Sequence, residues 1–224
     1  MPQVRLPFIP FNFLNDGSSP VPTGQYEPIT GLELPSGLTP GAWFDVTEQE
    51  ANALSDTNVG TLHNGRYQWL LMDPNAVNSG NGALTRGQAL FWLLGGTTQY
   101  EVTNIEPVGG TAVPAAIFLH SQSGAAPVTP GQWFFAQLVH PGRATVKMAS
   151  VLSNPAPAAW DSIAAANLGA GADAGLFDDI GGAGNPNFTQ EGQAFGTFVG
   201  VAETAPVASG LVVVEIRRPG PVMN

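Results

Sequence analysis

Leu38-Thr39-Pro40-Gly41-Ala42-Trp43-Phe44, Leu84-Thr85-Arg86-Gly87-Gln88-Ala89-Leu90-Phe91 and Val128-Thr129-Pro130-Gly131-Gln132-Trp133-Phe134 are three versions of one phrase. Each runs apolar-Thr-x-Gly and then passes into an aromatic-rich stretch of the kind that fits a pleated, half-buried surface. The threonines stand 46 and 44 residues apart. A turn that opens a strand at a near-regular interval predicts serial β-units, not strands alternating with helices. The expected fold class is therefore all-β, a barrel or a sandwich.

Working forward from the phrase, strands are expected over Ala89–Leu94, Tyr100–Ile105, Ala115–His120, Trp133–Val139 and Arg143–Ala149. His140-Pro141-Gly142 joins the last two with proline and glycine where a type II turn takes them. A closing hairpin is expected from Phe195–Glu203 and Leu211–Arg217, anchored by Phe198, Val212, Val214 and Ile216. Asn64-Gly65, between Thr61 and Leu71, has the residues of a type I′ hairpin turn. Thr47-Glu48-Gln49-Glu50 fits a capping box and predicts a short helix through Ala51, Ala53 and Leu54. Asn154-Pro155 reads as the start of a second short helix, with Trp160, Ile163, Ala164 and Leu168 on its apolar face and Gly169 beyond its end. Residues 169–194, rich in Gly, Ala, Asp and Asn, read as a long loop.

Working backward, residues 1–40 hold eight prolines and four glycines. Each proline fixes its own φ and pushes the preceding residue toward an extended conformation, so an extended arm is expected. The arm carries Phe8, Ile9, Phe11, Phe13 and Leu14, side chains that a solvated linker would lack. They either wrap back on their own domain or pack on a neighbouring subunit. The chain then divides into an arm (1–37), a small β unit with a short helix (38–83), a main β module (84–218) and a tail (219–224).

At 224 residues the chain is long enough for one large β domain or two small ones. Folding would remove roughly 24,000 Å² from water, ample for a core without cross-links. With no cysteine, disulfides, thiolate metal sites and thiol nucleophiles are excluded. Only 11% of residues are charged, 17 acids against seven bases, for a net charge of −10. That balance argues against nucleic acid, whose phosphates need clustered Lys and Arg; Arg217-Arg218 is the one basic doublet. A surface so poor in charge also points to coverage by neighbours in an assembly. No apolar run reaches the 18 or so residues of a membrane span, and the proline-interrupted start does not read as a secretory signal.

Chemistry-bearing patterns are sparse. His63, His120 and His140 are far apart, with no zinc-type spacing among them. There is no Gly-x-Ser-x-Gly elbow, and Ser121 beside His120 would point to the opposite face of a strand. Asp173, Asp178 and Asp179 cluster in the glycine-rich loop without the spacing of a calcium loop; they read as solvated acids, with an ion held jointly by carbonyls as the alternative. Glu101 and Glu106 are not marked out from surface acids. Trp43, Trp92 and Trp133 lie within or just after strand entries, where core packing competes with a carbohydrate-binding platform. The residues call for no enzyme, cofactor or metal.

Gly124-Ala-Ala-Pro-Val-Thr-Pro-Gly-Gln-Trp-Phe-Phe-Ala-Gln-Leu-Val with Pro141-Gly-Arg-Ala-Thr-Val-Lys, and Gly196-Thr-Phe-Val-Gly-Val-Ala-Glu-Thr-Ala with Ser209-Gly-Leu-Val-Val-Val-Glu-Ile, resemble the β-barrel head proteins of tailed bacteriophages, in particular their capsid decoration (cement) proteins. The likeness covers residues 84–218. It implies a β-tulip-like barrel and a virion protein on the outer capsid surface, made in the host cytoplasm. It also implies a homotrimer whose partner is the major capsid protein, bridging neighbouring capsid subunits. Phe8, Ile9, Phe11 and Phe13 are the expected contact residues. A tail or fibre component and a carbohydrate-binding β-sandwich are the alternatives.

Overall fold

The computed structural model describes residues 29–30, 43–55, 60–73, 84–93, 100–104, 114–119, 131–165, 175–181 and 198–217. The elements in chain order are β1 (Ile29–Thr30), β2 (Trp43–Val46), α1 (Glu48–Leu54), β3 (Gly65–Met72), β4 (Ala89–Trp92), β5 (Glu101–Thr103) and β6 (Ala116–Phe118). They continue with β7 (Gln132–Leu138), β8 (Gly142–Lys147), β9 (Ser162–Ala165), β10 (Phe177–Gly181), β11 (Phe198–Ala202) and β12 (Leu211–Ile216). The protein is all-β, as its sequence predicts. All three copies of the opening phrase lead into strands of one sheet: β2, β4 and β7. In the second and third copies the phrase glycine has a positive φ, +86° at Gly87 and +79° at Gly131, so the turn sits where a side chain would strain it.

That first sheet has the order β1-β7-β6-β4-β5-β3-β2, and β3 also pairs with β7 over Tyr67↔Gln137 to Leu71↔Trp133. The extra pairing closes β3, β5, β4, β6 and β7 into a five-stranded barrel, with β3–β5 its one parallel contact. Strands of the 38–83 and 84–218 segments therefore share one sheet. Closure explains the unbroken apolar runs, because alternate side chains serve two cores. Leu70, Met72, Phe134 and Ala136 point inward with Leu90, Val102, Ala116 and Phe118. Tyr67, Trp69, Leu71, Trp133 and Phe135 point outward, under Val46, Ala51 and Leu62. Tyr67 stacks on Phe135 at 5.2 Å, and Phe118 meets Phe134 edge-on at 5.6 Å. Each such fully buried ring contributes about 1.5–3 kcal/mol by burial.

The second sheet runs β10-β9-β11-β12-β8, all antiparallel, and curls until Met148 bridges Phe177 beside its outer strands. Its inner residues Ala144, Val146, Met148, Ile163, Phe177, Val212, Val214 and Ile216 share a core with Ala89, Phe91 and Ile117 on the barrel's outer wall. The closing hairpin is present as β11–β12, with Val212, Val214 and Ile216 buried as expected. The edges of this sheet are tied to the barrel by Arg143 N–H to Asn64 O (3.0 Å), Lys147 N–H to Gly87 O (2.9 Å) and Ala89 N–H to Gly175 O (2.6 Å). Backbone groups that would otherwise template edge-to-edge aggregation are used in docking.

Four expectations need correction. His140-Pro141-Gly142 joins β7 to β8, but those strands do not pair; the chain turns a corner from the first sheet into the second. A Cβ on Gly142 (φ +149°) would sit 2.6 Å from Asn64 O, so only glycine lets β8 start against β3. Asn64-Gly65 makes no type I′ hairpin, since neither residue has a positive φ. The backbone before β3 is claimed elsewhere: Leu62 N–H by Ser55 Oγ at the end of α1, His63 O by the Tyr67 hydroxyl, Asn64 O by β8. The antiparallel neighbour that precedes β3 in the chain is β2, and α1, with its capping box between Thr47 and Glu50, lies in the connection between them.

The helix expected after Asn154 does not form over residues 155–165. Asn154 Oδ1 accepts the Ala156 N–H (3.0 Å) in a local turn, Pro157 disfavours the α region at Ala156, and Trp160 adopts φ +71°. Ser162–Ala165 then becomes β9, whose two edges pair with β10 and β11. β10 itself lies inside the stretch expected to be loop; Leu168 and Gly169 fall outside the described residues.

Candidate functional site

Among the described residues, ionisable side chains gather where α1, the start of β3, β8 and the β11–β12 connection meet. The capping box places Glu48 in the first turn of α1 with its carboxylate turned toward β8. β8 begins Gly142-Arg143, and pairing Glu215↔Arg143 sets the guanidinium beside the residue that follows β11. Arg143 donates Nε to Glu203 Oε1 (2.5 Å), its second terminal nitrogen to Glu203 Oε2 (2.7 Å) and its first to Glu48 Oε1 (3.2 Å). This bidentate fork is the geometry in which an arginine–carboxylate pair is strongest. It holds the Glu203 carboxyl below the ordinary carboxylate range and raises the guanidinium further.

His63 lies beneath this pair, 6% exposed. Its Nε2 is 3.0 Å from Thr145 Oγ1 and its Nδ1 is 3.9 Å from Glu48 Oε1. Asn64 N–H donates to Glu48 Oε2 (3.1 Å), and Tyr67 hydroxyl donates to His63 O (2.6 Å). Burial, then the Arg143 charge, push the imidazole below its ordinary pKa, outweighing Glu48 and Glu203. Burial pushes the Tyr67 hydroxyl up, keeping it a donor. Thr145, His63 and Glu48 stand in the order hydroxyl, imidazole, carboxylate. The 3.9 Å gap is too long for the hydrogen bond that orients a catalytic base, and the ring is enclosed by protein. Chemically the cluster is a latch, tying the first sheet and its helix to the second sheet.

A second polar group sits along β10. Asp178 accepts from Ser153 N–H (2.9 Å) and Ser153 Oγ (2.5 Å); Asp179 and Asp161 both accept from Asn154 Nδ2 (3.3 and 2.9 Å). Asp178 and Asp179 are buried acids of a strand, not solvated loop acids, and they anchor the 153–161 segment. Asp173 lies outside the described residues. Among the described residues no group of three or more His, Asp or Glu is arranged to hold a metal ion.

Of the other residues singled out in the sequence, Phe8, Ile9, Phe11 and Phe13 lie outside the described residues, as do His120, Ser121 and Glu106. His140 is half-buried at the β7–β8 corner, and Glu101 is buried on β5. Trp133 is core; Trp43 is exposed under the Arg66 guanidinium, 3.6 Å from the ring centre. Arg66 also pairs with Asp45 (2.9 Å). The sequence patterns single out neither Arg143 nor Glu203 as site residues, mark Glu48 only as part of the capping box, and give His63 no partner. Glu48 and Arg143 are 95 residues apart and Arg143 and Glu203 are 60 apart, so no local pattern joins them.

No helix among the described residues is long and apolar enough to cross a membrane. No protein-family model and no curated protein matches this sequence.

Proposed function

We propose that this chain is a virion structural protein that decorates an icosahedral capsid and stabilises it by bridging neighbouring capsid subunits, acting as an oligomer. One observation carries the reading: the ionisable groups brought together are spent on internal ties. Arg143, Glu203 and Glu48 lock two sheets, and Asp178 and Asp161 pin a connection. Meanwhile Trp160, Val151 and Val207 are held out to solvent. That distribution suits a rigid scaffold whose outer surfaces act. The phage-like segments Gly124–Val139 and Gly196–Ala205 support the same reading.

The mechanism is multivalent clamping. An oligomer whose arms each reach a different capsid subunit gains from effective concentration, so weak contacts add up to firm attachment. A ligand that binds only the assembled shell stabilises it by mass action. Phe8, Ile9, Phe11 and Phe13 are the proposed anchors, each gaining about 25 cal/mol per Å² of apolar surface removed from water. Electron microscopy of purified phage heads mixed with the protein tests this directly. Deleting residues 1–20 should abolish attachment while leaving the melting temperature nearly unchanged. Normal decoration by the truncated protein would remove the arm from the mechanism.

A further inference from the structure

At the corner where β8 begins, the ties from the first sheet to the second run through His63 and the residues beside it. Arg143 N–H donates to Asn64 O (3.0 Å), Thr145 Oγ1 lies 3.0 Å from His63 Nε2, and the Arg143 guanidinium donates to Glu48 Oε1 (3.2 Å). The Arg143–Glu203 fork is different in kind. Glu203 follows β11, so that pair stays within the second sheet and holds nothing across the corner. Glu48 is the carboxylate that reaches over, from α1 to β8.

The ionisable groups facing the imidazole are Glu48 from α1, Tyr67 from β3, Arg143 from β8 and Glu203 from the β11–β12 connection. Tyr67 accepts the His63 N–H (3.2 Å) and donates to its carbonyl; burial keeps this hydroxyl protonated, so it adds no charge. His63 Nδ1 is buried and makes no hydrogen bond, while Glu48 Oε1 stands 3.9 Å away. A proton placed on Nδ1 sets a second cation beside the guanidinium and gives the ring an N–H facing an oxygen that Arg143 already uses. Two cations then compete for one carboxylate oxygen, where little water screens them. Arg143 is the one that yields at Glu48, because Glu203 still satisfies it twice over. The Glu48 side chain is 45% exposed and able to turn toward the ring.

We infer that His63 is an acid-operated release for this corner: its protonation draws Glu48 off Arg143 and lets the start of β8 part from Asn64. The direction follows from where the proton is held better. Burial and the Arg143 charge make the ring a weaker base in the closed corner than in an opened one, so added protons favour opening. The opening is local. At the other end of β8, Lys147 N–H is bonded to Gly87 O (2.9 Å), and Ala89 N–H on β4 is bonded to Gly175 O (2.6 Å); neither bond involves His63 or Glu48. The release does not depend on the capsid role proposed above.

Amide hydrogen exchange of the full chain, read by NMR from about pH 7.5 to about pH 5 and corrected for intrinsic exchange rates, tests it. The Arg143 amide should lose protection along the same curve on which the His63 ring titrates, by at most about ten-fold per pH unit, the limit for a single proton. The Lys147 and Ala89 amides should keep theirs. His63→Gln should abolish the loss at Arg143. Arg143→Met removes the competing cation and should move the His63 midpoint up; Glu48→Gln removes the receiving carboxylate and should move it down. Those two shifts carry the test if His63→Gln fails to fold. An Arg143 amide indifferent to pH, or one that opens equally in His63→Gln, would overturn the inference. So would Lys147 and Ala89 opening together with Arg143, which is global loosening, or ring midpoints that stay put in both charge variants.

Discussion

Replacing Gly142 by alanine tests the corner at which the chain leaves the barrel for the second sheet. Two costs combine there. The residue has φ +149°, where an L side chain costs about 1–2 kcal/mol. The new methyl would also lie 2.6 Å from Asn64 O and 3.1 Å from Gly65 Cα, both backbone atoms that cannot swing aside. Relief requires β8 to withdraw from the start of β3. That loosens Arg143 N–H to Asn64 O (3.0 Å) and Gln137 Nε2 to Arg143 O (2.6 Å). Two hydrogen bonds at about 1 kcal/mol each bring the loss to about 3–4 kcal/mol. For a protein of this size that corresponds to a melting temperature lower by about 10 °C. Gly131→Ala supplies the comparison. Its φ is +79°, but nothing lies within 4 Å of the added methyl, so only the backbone cost of about 1 kcal/mol applies. Urea unfolding of both variants, followed by circular dichroism, separates the two terms. Equal losses at the two positions would refute the claim that close approach of β8 to β3 holds the corner.

A double-mutant cycle of Arg143→Met and Glu203→Gln should show a coupling of about 1 kcal/mol, kept small because both side chains are partly solvated, and smaller still in 1 M salt. Native His63 holds its proton less tightly than the unfolded chain does. Stability should therefore be undiminished above the ordinary histidine value of about 6.5 and fall as the pH drops below it; His63→Gln should flatten that part of a urea-midpoint-versus-pH curve. The Glu203 carboxyl, held low by Arg143, adds a separate loss at more acid pH, below the ordinary glutamate range, which Glu203→Gln should remove. Phe134→Ala, inside the barrel and fully buried, should cost about 3–5 kcal/mol by calorimetry.

Much of the fold was legible locally. The apolar-Thr-x-Gly phrase marks the starts of β2, β4 and β7 because turn chemistry and aromatic runs are properties of neighbouring residues. The capping box at Thr47–Glu50 and the alternation in Leu211–Ile216 belong to the same class. The misreadings arise where distant partners overrule neighbours. Asn154-Pro155 looks like a helix start, yet Ser162–Ala164 is claimed by strands on both sides. Asn64-Gly65 looks like a hairpin turn, yet the groups flanking it bond to α1, Tyr67 and β8. The latch was not legible at all, because an ion pair leaves no spacing in the chain when its members come from four separate elements.

From the residues alone follow the strand-rich character, the short capped helix, the cysteine-free core and the acidic, weakly charged surface. Each depends on composition or on contacts within a few positions. Only the folded chain decided that β7 closes a barrel on β3, that β8 changes sheets, and that His63 is enclosed beside Arg143. The same holds for Trp160, which the fold turns outward. These features depend on pairings across tens of residues, whose free energy is set by the summed burial of whole sheets and not by the preference of any one segment.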